Sequence, residues 1–428
     1  MGRAGVRSDV RLADSPPSAA SAGIDASSGG VSRSVSRVAT DRILSISSWI
    51  LARSLRQIRR LEPSNRGSMR SRRFSGVTGD APMIVELCGF EDSQQERAWD
   101  EFVLRAPGAS HFHQSAWRRV IQRSYGHRPF YLWAIDGGQV KGILPLVLVR
   151  SMLLGKSMAS LPFVDTGGIC AESHEAASAL YTRALRLCDE LGADRLDLRQ
   201  GESSGLGLTA QDDKVTVVLE FAPEPEAAWS RLDAKVRNQV RKAQKVGLVA
   251  SWHGLEGLDD FYDVFVENMR DLGSPVHSRK FFARILEEFP DSARLIHIAD
   301  GGRTVGGGLC LSFRDTLLVP WASSRREYLS KCPNNLLYWE AIRWGCKEGL
   351  RRLDFGRSSR GSGTYQFKKQ WGAVEKPLPW TIWSRNGQQS ALVQSSDARY
   401  AAAARVWKHL PIAITRLCGP VLRKQISN

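Results

Sequence analysis

Two stretches of the chain place apolar runs on either side of an Asp-Gly-Gly turn. The first spans 129–142 and the second spans 293–306. An Asp-Gly pair between two apolar runs is a strong hairpin signal, because such a turn needs backbone conformations with positive φ. Each predicted hairpin is followed by more strand-like sequence, then by a helical pattern that ends at a glycine, and then by a short apolar strand. The same order of elements therefore occurs twice.

The helices and strands after the two hairpins also match in detail. The helical patterns at 176–191 and 335–348 each end before a glycine, and they lead into Leu-Asp-apolar strands at 195–199 and 352–356. In both copies the aspartate follows the glycine by five residues. We interpret this as a duplicated α/β unit of hairpin, crossover helix and strand, with a boundary near residue 215.

The beginning of the chain has a different composition from the rest. The 428 residues carry a formal charge of +16, and residues 1–80 supply half of it with fourteen Arg and no Lys. This Ser-, Gly- and Ala-rich composition predicts a disordered basic leader over 1–82. The mature protein could lack this leader, since Met69 and Met83 are both plausible starts. Within it, 43–61 predicts a short basic amphipathic helix suited to a membrane surface.

The remaining sequence predicts a folded α/β protein with mixed sheets. We place the first domain at 83–215, the second at 216–385 and a helical C-terminal tail at 386–428. Thirteen Trp and fifteen Phe exclude a chain that is disordered over most of its length. No apolar run approaches eighteen residues, so no transmembrane helix is predicted. Seven cysteines without CxxC spacing argue against a zinc ribbon or a disulfide framework, and favour a reducing cytosol.

A basic amphipathic helix is predicted over 229–246. At about 100° per residue, its apolar residues share one face, and a separate face without a carboxylate carries Arg231, Lys235, Arg237, Arg241, Lys242 and Lys245. This face is either an ordinary solvated surface or an electrostatic seat for a phosphate-bearing ligand or nucleic acid. The candidate substrate-binding residues here are Lys235, Arg237, Arg241 and Lys242.

A second candidate site is the Gly/Ser-rich segment at 356–372, which follows the second Leu-Asp-apolar strand. Such a segment offers backbone N–H groups and cations to an anion. The candidate ligand contacts are Arg357, Arg360, Gly361, Gly363 and Trp371. Lys368 is the candidate for polarising a reacting carbonyl. The other interpretation is a flexible glycine loop without a function.

Other chemical motifs are weak. The segment Arg303-x-x-Gly306-x-Gly308 formally matches the pattern that cradles the coenzyme A pyrophosphate in GNAT acetyltransferases, but it lies on the second strand of a predicted hairpin. We therefore interpret it as a strand in which small residues permit close backbone approach. His111 and His113 have no third ligand at metal spacing, so we expect structural histidines and no metal. The motifs of serine hydrolases, zinc proteases and P-loop enzymes are missing.

Several segments together resemble the FemAB family. They are Trp117 with Tyr125-Gly126-His127, the run Leu-Pro-Phe-Val-Asp-Thr-Gly-Gly at 161–168, the basic pattern at 235–247, and the pattern from Asp354 to Gly372 that includes Phe367-Lys368. Within the family, the chain most resembles FemAB-like proteins that accompany PEP-CTERM/exosortase exopolysaccharide systems. The resemblance covers roughly 83–385 and implies two tandem GNAT-like domains, in agreement with the repeat.

The resemblance also implies a chemistry. Family members with known activity transfer an amino acid from aminoacyl-tRNA to an amine on a cell-wall precursor, and other relatives resemble acetyltransferases. By resemblance, Lys368 faces the acceptor phosphates or the reacting carbonyl, and Asp165 lies in a loop that positions the acceptor. For such acyl transfer, Asp165 or Tyr365 could relay a proton. These three residues are the candidate catalytic residues.

The donor stays open between acyl-CoA and aminoacyl-tRNA, with no tightly bound cofactor. The cell-wall enzymes grip tRNA with a long helical hairpin, whereas 258–289 predicts two short helices. We expect a monomeric acyltransferase, either in the cytoplasm or peripheral at the inner face of the membrane. Its substrate would be a lipid-linked saccharide or another phosphate-bearing envelope or exopolysaccharide precursor. Two other classes compete: a nucleic-acid-binding protein that uses the basic helix, and a catalytically inactive scaffold.

Overall fold

The computed structural model describes residues 83–90, 92–152, 155–201, 206, 210–211, 214–386 and 398–426. The predicted leader at 1–82, with its amphipathic segment, lies outside these residues. So does the beginning of the predicted C-terminal tail, at 387–397.

The first half of the described chain forms most of one mixed sheet. Its strands are β1 (Ile84–Leu87), β2 (Arg128–Asp136), β3 (Gln139–Ser151), β4 (Gly155–Ala159), β5 (Cys170–Ala171), β6 (Arg195–Arg199) and β7 (Ala210–Gln211). Its helices are α1 (Ser93–Arg105), α2 (Trp117–Tyr125) and α3 (His174–Leu191).

The second half supplies the other sheet and the remaining helices. The strands are β8 (Lys214–Glu220), β9 (Val249–His253), β10 (Ala293–Asp300), β11 (Arg303–Phe313), β12 (Thr316–Ser324), β13 (Arg352–Ser359), β14 (Val374–Pro377) and β15 (Trp380–Ser384). The helices are α4 (Pro225–Arg231), α5 (Ala234–Lys245), α6 (Leu258–Leu272), α7 (Arg279–Glu288), α8 (Pro333–Lys347), α9 (Gly363–Lys369), α10 (Ala398–Lys408) and α11 (Ile412–Lys424).

The two sheets repeat one topology. The strand order is β1-β2-β3-β4-β6-β15-β7 in the first sheet, with β5 attached to β3, and β14-β8-β13-β12-β11-β10-β9 in the second. In each sheet a hairpin is followed by a third antiparallel strand, a crossover helix and a parallel strand. The parallel pairs are β4 with β6 and β12 with β13. The order of elements predicted from the sequence repeat is therefore present in both halves.

Both hairpins turn through two glycines. Gly137 and Gly138 have φ of +54° and +75°, and Gly301 and Gly302 have φ of +56° and +84°. Two consecutive positive φ values are the requirement of a tight hairpin turn whose twist matches the strands. The aspartate before each pair still belongs to the strand. The hairpin positions are as predicted, but the turn residues are Gly-Gly and not Asp-Gly.

Strand β15 crosses from the second half of the chain to the first sheet. It pairs with β6 from Trp380 opposite Arg199 to Ser384 opposite Arg195. The second domain predicted at 216–385 therefore includes one strand of the first sheet. This crossing brings Trp380 beside the loop that follows β4.

A hydrophobic core lies on each sheet, and another lies between the two halves. The core between the halves joins α2 and the loop after β4 to α6 and α7. Its most buried large residues include Trp117, Phe261, Phe281 and Phe282. Burying a side chain of this size stabilises the fold by about 2–3 kcal/mol. The halves accordingly belong to one compact unit.

The basic helix predicted at 229–246 is interrupted. Helix α4 ends at Arg231, and α5 begins after Asp233, whose carboxylate accepts a hydrogen bond of 2.7 Å from the backbone N–H of Lys235. Aspartate is a favoured N-cap because its side chain satisfies a backbone donor that has no partner within the helix. Arg231 therefore does not share a helix with the other five cations, which is a correction to the predicted face.

Candidate active site

The site begins with a bend in β13. This strand pairs in parallel with β12 only from Arg352 to Asp354, and its register with β8 shifts between Asp354 and Arg357. Gly356 has φ of +74°, and a Cβ there would lie 3.3 Å from the carbonyl oxygen of Val319. The bend thus requires glycine both for its conformation and for the close backbone approach.

The side chain of Asp354 stabilises this bend through hydrogen bonds. Its Oδ1 accepts hydrogen bonds from the Gly356 backbone N–H at 2.8 Å and from the hydroxyl of Thr216. Burial raises the pKa of Asp354, and these two hydrogen bonds oppose the rise. The strand therefore changes direction around an internally bonded carboxyl group.

Lys368 projects from α9 into the same bend. Its Nζ donates to the carbonyl oxygens of Gly356 at 2.7 Å and Arg357 at 3.1 Å, and the residue is only 8% exposed. Burial lowers the pKa of Lys368 to about 8, and the nearby carboxylates of Asp165 and Asp354 oppose that shift. An ammonium group has three N–H donors. Two of these donors hold the bend, and Nζ has no third hydrogen-bond partner among the described residues.

Asp165 reaches this bend from the first half of the chain. Its Oδ1 lies 3.2 Å from Nε of Arg357, and its Oδ2 accepts a hydrogen bond of 3.2 Å from the Arg357 backbone N–H. The sequence separates these two residues by almost two hundred positions. The fold therefore joins Asp165, Arg357 and Lys368 in one cluster, which we call the Lys368 cluster.

The loop that carries Asp165 is held in a strained conformation. Leu161 and Phe163 have positive φ values of +51° and +75°. Residues other than glycine rarely adopt such values, at a cost of about 1–3 kcal/mol each, and they concentrate at functional sites. The loop is fixed by a hydrogen bond of 2.6 Å from Arg199 Nη1 to the Val164 carbonyl and by one of 3.0 Å from Trp380 Nε1 to the Asp165 carbonyl.

Trp380 and Arg199 were not predicted from the sequence. Two guanidinium groups contact the Trp380 ring, that of Arg199 at 4.8 Å and that of Arg357 at 4.7 Å. Burial lowers the pKa of Arg199 to about 9, and the charge of Arg357 adds to the effect. An arginine at the end of a predicted buried strand was a signal for Arg199. Trp380 gave no such signal, because its role depends on the crossing of β15.

Tyr365 and Arg360, two of the predicted site residues, both contact Glu375. The hydroxyl of Tyr365 donates to Glu375 Oε2 at 2.6 Å, and Arg360 Nε lies 3.3 Å from Glu375 Oε1. The hydrogen bond to Glu375 raises the pKa of Tyr365. The structure shows no hydrogen bond from Tyr365 to the described residues of the Lys368 cluster, so its proposed proton relay has no support from geometry.

The remaining predicted residues of 356–372 have structural roles. Trp371 is 2% exposed and packs against Tyr338 and Phe355, so the predicted ligand contact is corrected to a core residue. Gly361 is an exposed turn residue with φ of +75°, and Gly363 begins α9. The segment is thus a short turn followed by a helix that buries Lys368, and the alternative interpretation as a flexible glycine loop is wrong.

The cations of α5 form a separate surface. Lys235, Arg241, Lys242 and Lys245 are exposed, and Arg237 is half-buried. Within the described part of the chain, no carboxylate lies within ion-pair distance of these five side chains. Arg241 covers the ring of Trp229 at 5.3 Å. We call this surface the α5 basic face; no contact between it and the Lys368 cluster is found among the described residues.

The coenzyme A-like motif on β11 does not fit a pyrophosphate. An added Cβ would lie 2.9 Å from Ser324 Oγ at Gly306, 3.2 Å from the Phe261 ring at Gly307, and 3.3 Å from the Trp321 carbonyl at Gly308. These glycines lie against other protein atoms and do not line an open phosphate-binding loop. They permit the close backbone approach that the sequence predicted.

The two histidines at 111 and 113 are structural, as expected. Trp117 Nε1 donates to His111 Nδ1 at 3.1 Å, and His113 Nε2 lies 3.0 Å from the Gly168 carbonyl. Burial lowers the pKa of His111 to about 3 and that of His113 to about 4. Among the described residues, no group of three or more His, Cys, Asp or Glu side chains is arranged to hold a metal ion.

Comparison with known proteins agrees with this architecture. Residues 230–369 match the family described as Acetyltransferase (GNAT) domain. The fold is similar to that of the crystal structure of FemX, with 14% identity, 68% of this chain and 96% of that chain covered, and a TM-score of 0.55. No curated protein sequence matches the chain.

Two further solved structures align with this chain over almost their whole length. For a tandem GNAT protein from the clavulanic acid biosynthesis pathway, the identity is 11% and the TM-score is 0.48. The alignment covers 71% of this chain and 98% of that chain. L-PGS from Bacillus licheniformis has 11% identity, covers 79% of this chain and 98% of its own, and has a TM-score of 0.47.

The fold is similar to that of FemX and repeats one GNAT-like unit, as the repeat and the family resemblance predicted. The family match makes the class of the enzyme an acyltransferase. Membership of the PEP-CTERM-associated subgroup stays a prediction. In the part of the chain that the structure describes, no helix has the length and apolar composition needed to cross a bilayer.

Proposed function

We propose that this acyltransferase moves an acyl or aminoacyl group from an activated carrier to an amine or hydroxyl of a cell-envelope or exopolysaccharide precursor. The reaction takes place at the Lys368 cluster. The observation that carries this proposal is the position of Lys368, a buried ammonium group within hydrogen-bond distance of the bent strand and close to a carboxylate from the other half of the molecule.

Acyl transfer needs stabilisation of negative charge on the carbonyl oxygen. The acceptor nitrogen or oxygen forms a bond to the carbonyl carbon, the bond from that carbon to the carrier breaks, and the carrier leaves with a proton. A cation at a site from which water is excluded stabilises the developing oxyanion more than a cation in water. The free N–H donor of Lys368 fits this role.

Asp165 is the candidate for moving the proton. A carboxylate within hydrogen-bond distance of the attacking group can accept its proton and return it to the leaving carrier. Arg357 fixes the orientation of this carboxylate through two contacts of 3.2 Å. The catalytic group is thus reduced from the predicted Lys368, Asp165 and Tyr365 to the first two.

The α5 basic face is proposed to bind the phosphates of a substrate. Acyl-CoA, aminoacyl-tRNA and lipid-linked saccharides all carry phosphate groups, and cations without acidic neighbours attract them. The region at 258–289 forms the two short helices α6 and α7 that the sequence predicted. These short helices differ from the long hairpin that grips tRNA in the cell-wall enzymes, which favours acyl-CoA as the donor. The experiment tests both acyl-CoA and aminoacyl-tRNA.

The test compares two neighbouring lysines on α9. Purified protein is supplied with labelled acetyl-CoA or aminoacyl-tRNA and with lipid-linked saccharides extracted from envelopes, and product formation is measured. Lys368→Met should lower kcat/KM by about 10²–10³, the usual cost of one oxyanion-stabilising group. Lys369→Met, one position along, should stay within about twofold because that side chain is outside the cluster. Full activity of the Lys368→Met protein would exclude the role given to this residue.

The α5 basic face also supports a second candidate function, binding of nucleic acid. Base reading on this helix has little support, because Gln239 Oε1 is already engaged by Asn335 Nδ2 at 2.9 Å. Binding of random RNA and DNA at two salt concentrations tests the alternative. Tight, steeply salt-dependent binding with no transfer from either donor would favour the nucleic-acid function.

A further inference from the structure

Helix α11 is anchored firmly on its inner face. Thr415 and Gly419 are buried, and a Cβ at Gly419 would lie 2.6 Å from the side chain of Val276. Arg416 forms an ion pair of 2.6 Å with Asp263. At the end of the helix, Gln425 accepts a hydrogen bond of 2.8 Å from the Met152 backbone N–H. The orientation of α11, and hence of its outer face, is fixed by these contacts.

The outer face of α11 is nevertheless apolar. Ile414, Leu417 and Val421 follow the i, i+3, i+7 spacing of one helix face. Leu417 is 71% exposed, the highest value of any large hydrophobic residue in the described chain, and Ile414 is 38% exposed. A helix that is packed on one face and exposes large apolar residues on the opposite face indicates a binding partner for the exposed face.

The apolar surface extends beyond α11. Val406 on α10 is 40% exposed, and Leu272 at the end of α6 is 59% exposed. Gly273, the residue after Leu272, lies against Ala404 and Lys408 of α10. The exposed apolar residues thus lie on neighbouring elements, and we call this surface the C-terminal face.

The charge of the segment indicates the kind of partner. Residues 401–426 contain no Asp or Glu and five basic residues: Arg405, Lys408, Arg416, Arg423 and Lys424. Arg405 and Lys408 are exposed. Exposed apolar side chains flanked by Lys and Arg are typical of helices that lie in the surface of an anionic bilayer, whereas protein interfaces are depleted in Lys.

We propose that the C-terminal face binds the surface of an anionic membrane. Ile414 and Leu417 enter the boundary between headgroups and acyl chains, and Arg405 and Lys408 contact lipid phosphates. The helix lies in the plane of the surface and does not cross it. This surface is distinct from the amphipathic segment predicted at 43–61.

The same helix touches the loop of the Lys368 cluster. Arg423 lies 5.7 Å from the ring of Phe163, two positions before Asp165, and its Nε donates to His277 Nε2 at 3.3 Å. Membrane binding through α11 would therefore hold Asp165 near lipid-linked acceptors. This consequence rests on the proposed function, whereas membrane binding itself does not.

The test is sedimentation of the full chain with lipid vesicles. Protein is mixed with vesicles of phosphatidylcholine alone or with about 30% phosphatidylglycerol, at about 0.05 and 0.5 M salt. We expect binding only with phosphatidylglycerol, weaker at high salt. Replacing both Ile414→Asp and Leu417→Asp should lower the partition coefficient about tenfold or more, because two inserted side chains are lost.

The control variant is Leu104→Asp, which changes a residue that is 61% exposed on α1 and should bind like the unchanged protein. Thermal melting checks that each variant is folded, and Ile414→Gln with Leu417→Gln replaces the aspartate pair if that pair unfolds.

Equal binding by the outer-face variants and the unchanged protein would overturn the proposal. The proposal would also be overturned if the unchanged protein bound no vesicles and formed a dimer that these variants dissociate. The C-terminal face would then bind a second copy of the chain. Vesicle binding without transfer activity would contradict the proposed function alone.

Discussion

The two halves of the molecule carry the same Leu-Asp-apolar strand, but the two aspartates act differently. In the first half, Asp197 is paired with Arg195 of its own strand, with N–O distances of 2.7 and 2.8 Å, and β6 stays paired with β15 along its length. In the second half, Asp354 accepts the backbone N–H of Gly356, and β13 bends.

Under the proposed function, this difference gives the first copy of the unit a structural role and the second copy a catalytic one. The first strand ends at Arg199, which holds the Asp165 loop by its Val164 carbonyl. The second strand leads through its bend to the carbonyls that bind Lys368. The duplication thus supplies two similar scaffolds, and the Lys368 cluster forms where they meet.

After Lys368→Met, the largest effect is expected at Asp165. Asp165→Asn should lower kcat/KM by about 10²-fold, since it removes the group that accepts the proton. Asp315→Asn is the control, because Asp315 also forms an ion pair with an arginine of β13, Arg352, but lies outside the Lys368 cluster. If steady-state kinetics show equal losses for the two variants, Asp165 acts only as an ion-pair partner.

The bend itself is tested by two glycines that share a φ of +74°. Gly349→Ala meets open space and should lower the free energy of unfolding by about 1–2 kcal/mol, the cost of a left-handed conformation. Gly356→Ala should lower the free energy of unfolding by the same amount, and its Cβ would also crowd the Val319 carbonyl oxygen. Because this crowding displaces the bend, kcat/KM should fall about tenfold as well. Denaturant melts and kinetics of both variants measure this. Unchanged kcat/KM in Gly356→Ala would separate the bend from the chemistry.

The α5 basic face should affect binding more than chemistry. The change of Arg241→Glu together with Lys242→Glu should raise KM for the phosphate-bearing substrate up to about tenfold with kcat unchanged. Arg186→Glu changes an exposed arginine on α3 of the first half and should leave both constants unaltered. A fall in kcat alone for the α5 variant would place its cations near the reacting atoms.

The smallest effect on activity is expected at Asp197. Asp197→Asn should lower the free energy of unfolding by about 1–3 kcal/mol, because it weakens a buried charge-assisted hydrogen bond, and kcat/KM should stay within about twofold. Asp354→Asn, at the equivalent position, should lower both stability and kcat/KM. A matching loss of activity in the two variants would remove the functional difference between the copies.

Local signals made most of the fold predictable. The Gly-Gly turns, the helical periodicity before Gly192 and Gly349, and the Leu-Asp-apolar strands are properties of neighbouring residues. The interruption at Asp233 was missed because the apolar spacing continues across it. An aspartate before a helical segment is nevertheless a recognisable N-cap signal.

The site was less predictable because its contacts are long-range. Asp165 and Lys368 were linked only through a family resemblance, and the contact of Asp165 with Arg357 depends on how the halves pack. The role of Trp380 follows from the crossing of β15, which no local pattern indicates. The prediction of a ligand contact at Trp371 is wrong because its ring is buried in the core, and this burial depends on residues distant in the sequence.

The pH dependence of kcat/KM for the unchanged protein and Lys368→Arg tests the central claim most directly. Burial lowers the pKa of Lys368 to about 8, so the ammonium group loses its proton as pH rises through that value. The account predicts that kcat/KM declines on the alkaline side with an apparent pKa near 8. Lys368→Arg, whose guanidinium keeps its charge, should lack this decline. A kcat/KM that rises through the same range, or the same alkaline decline in Lys368→Arg, would contradict the account.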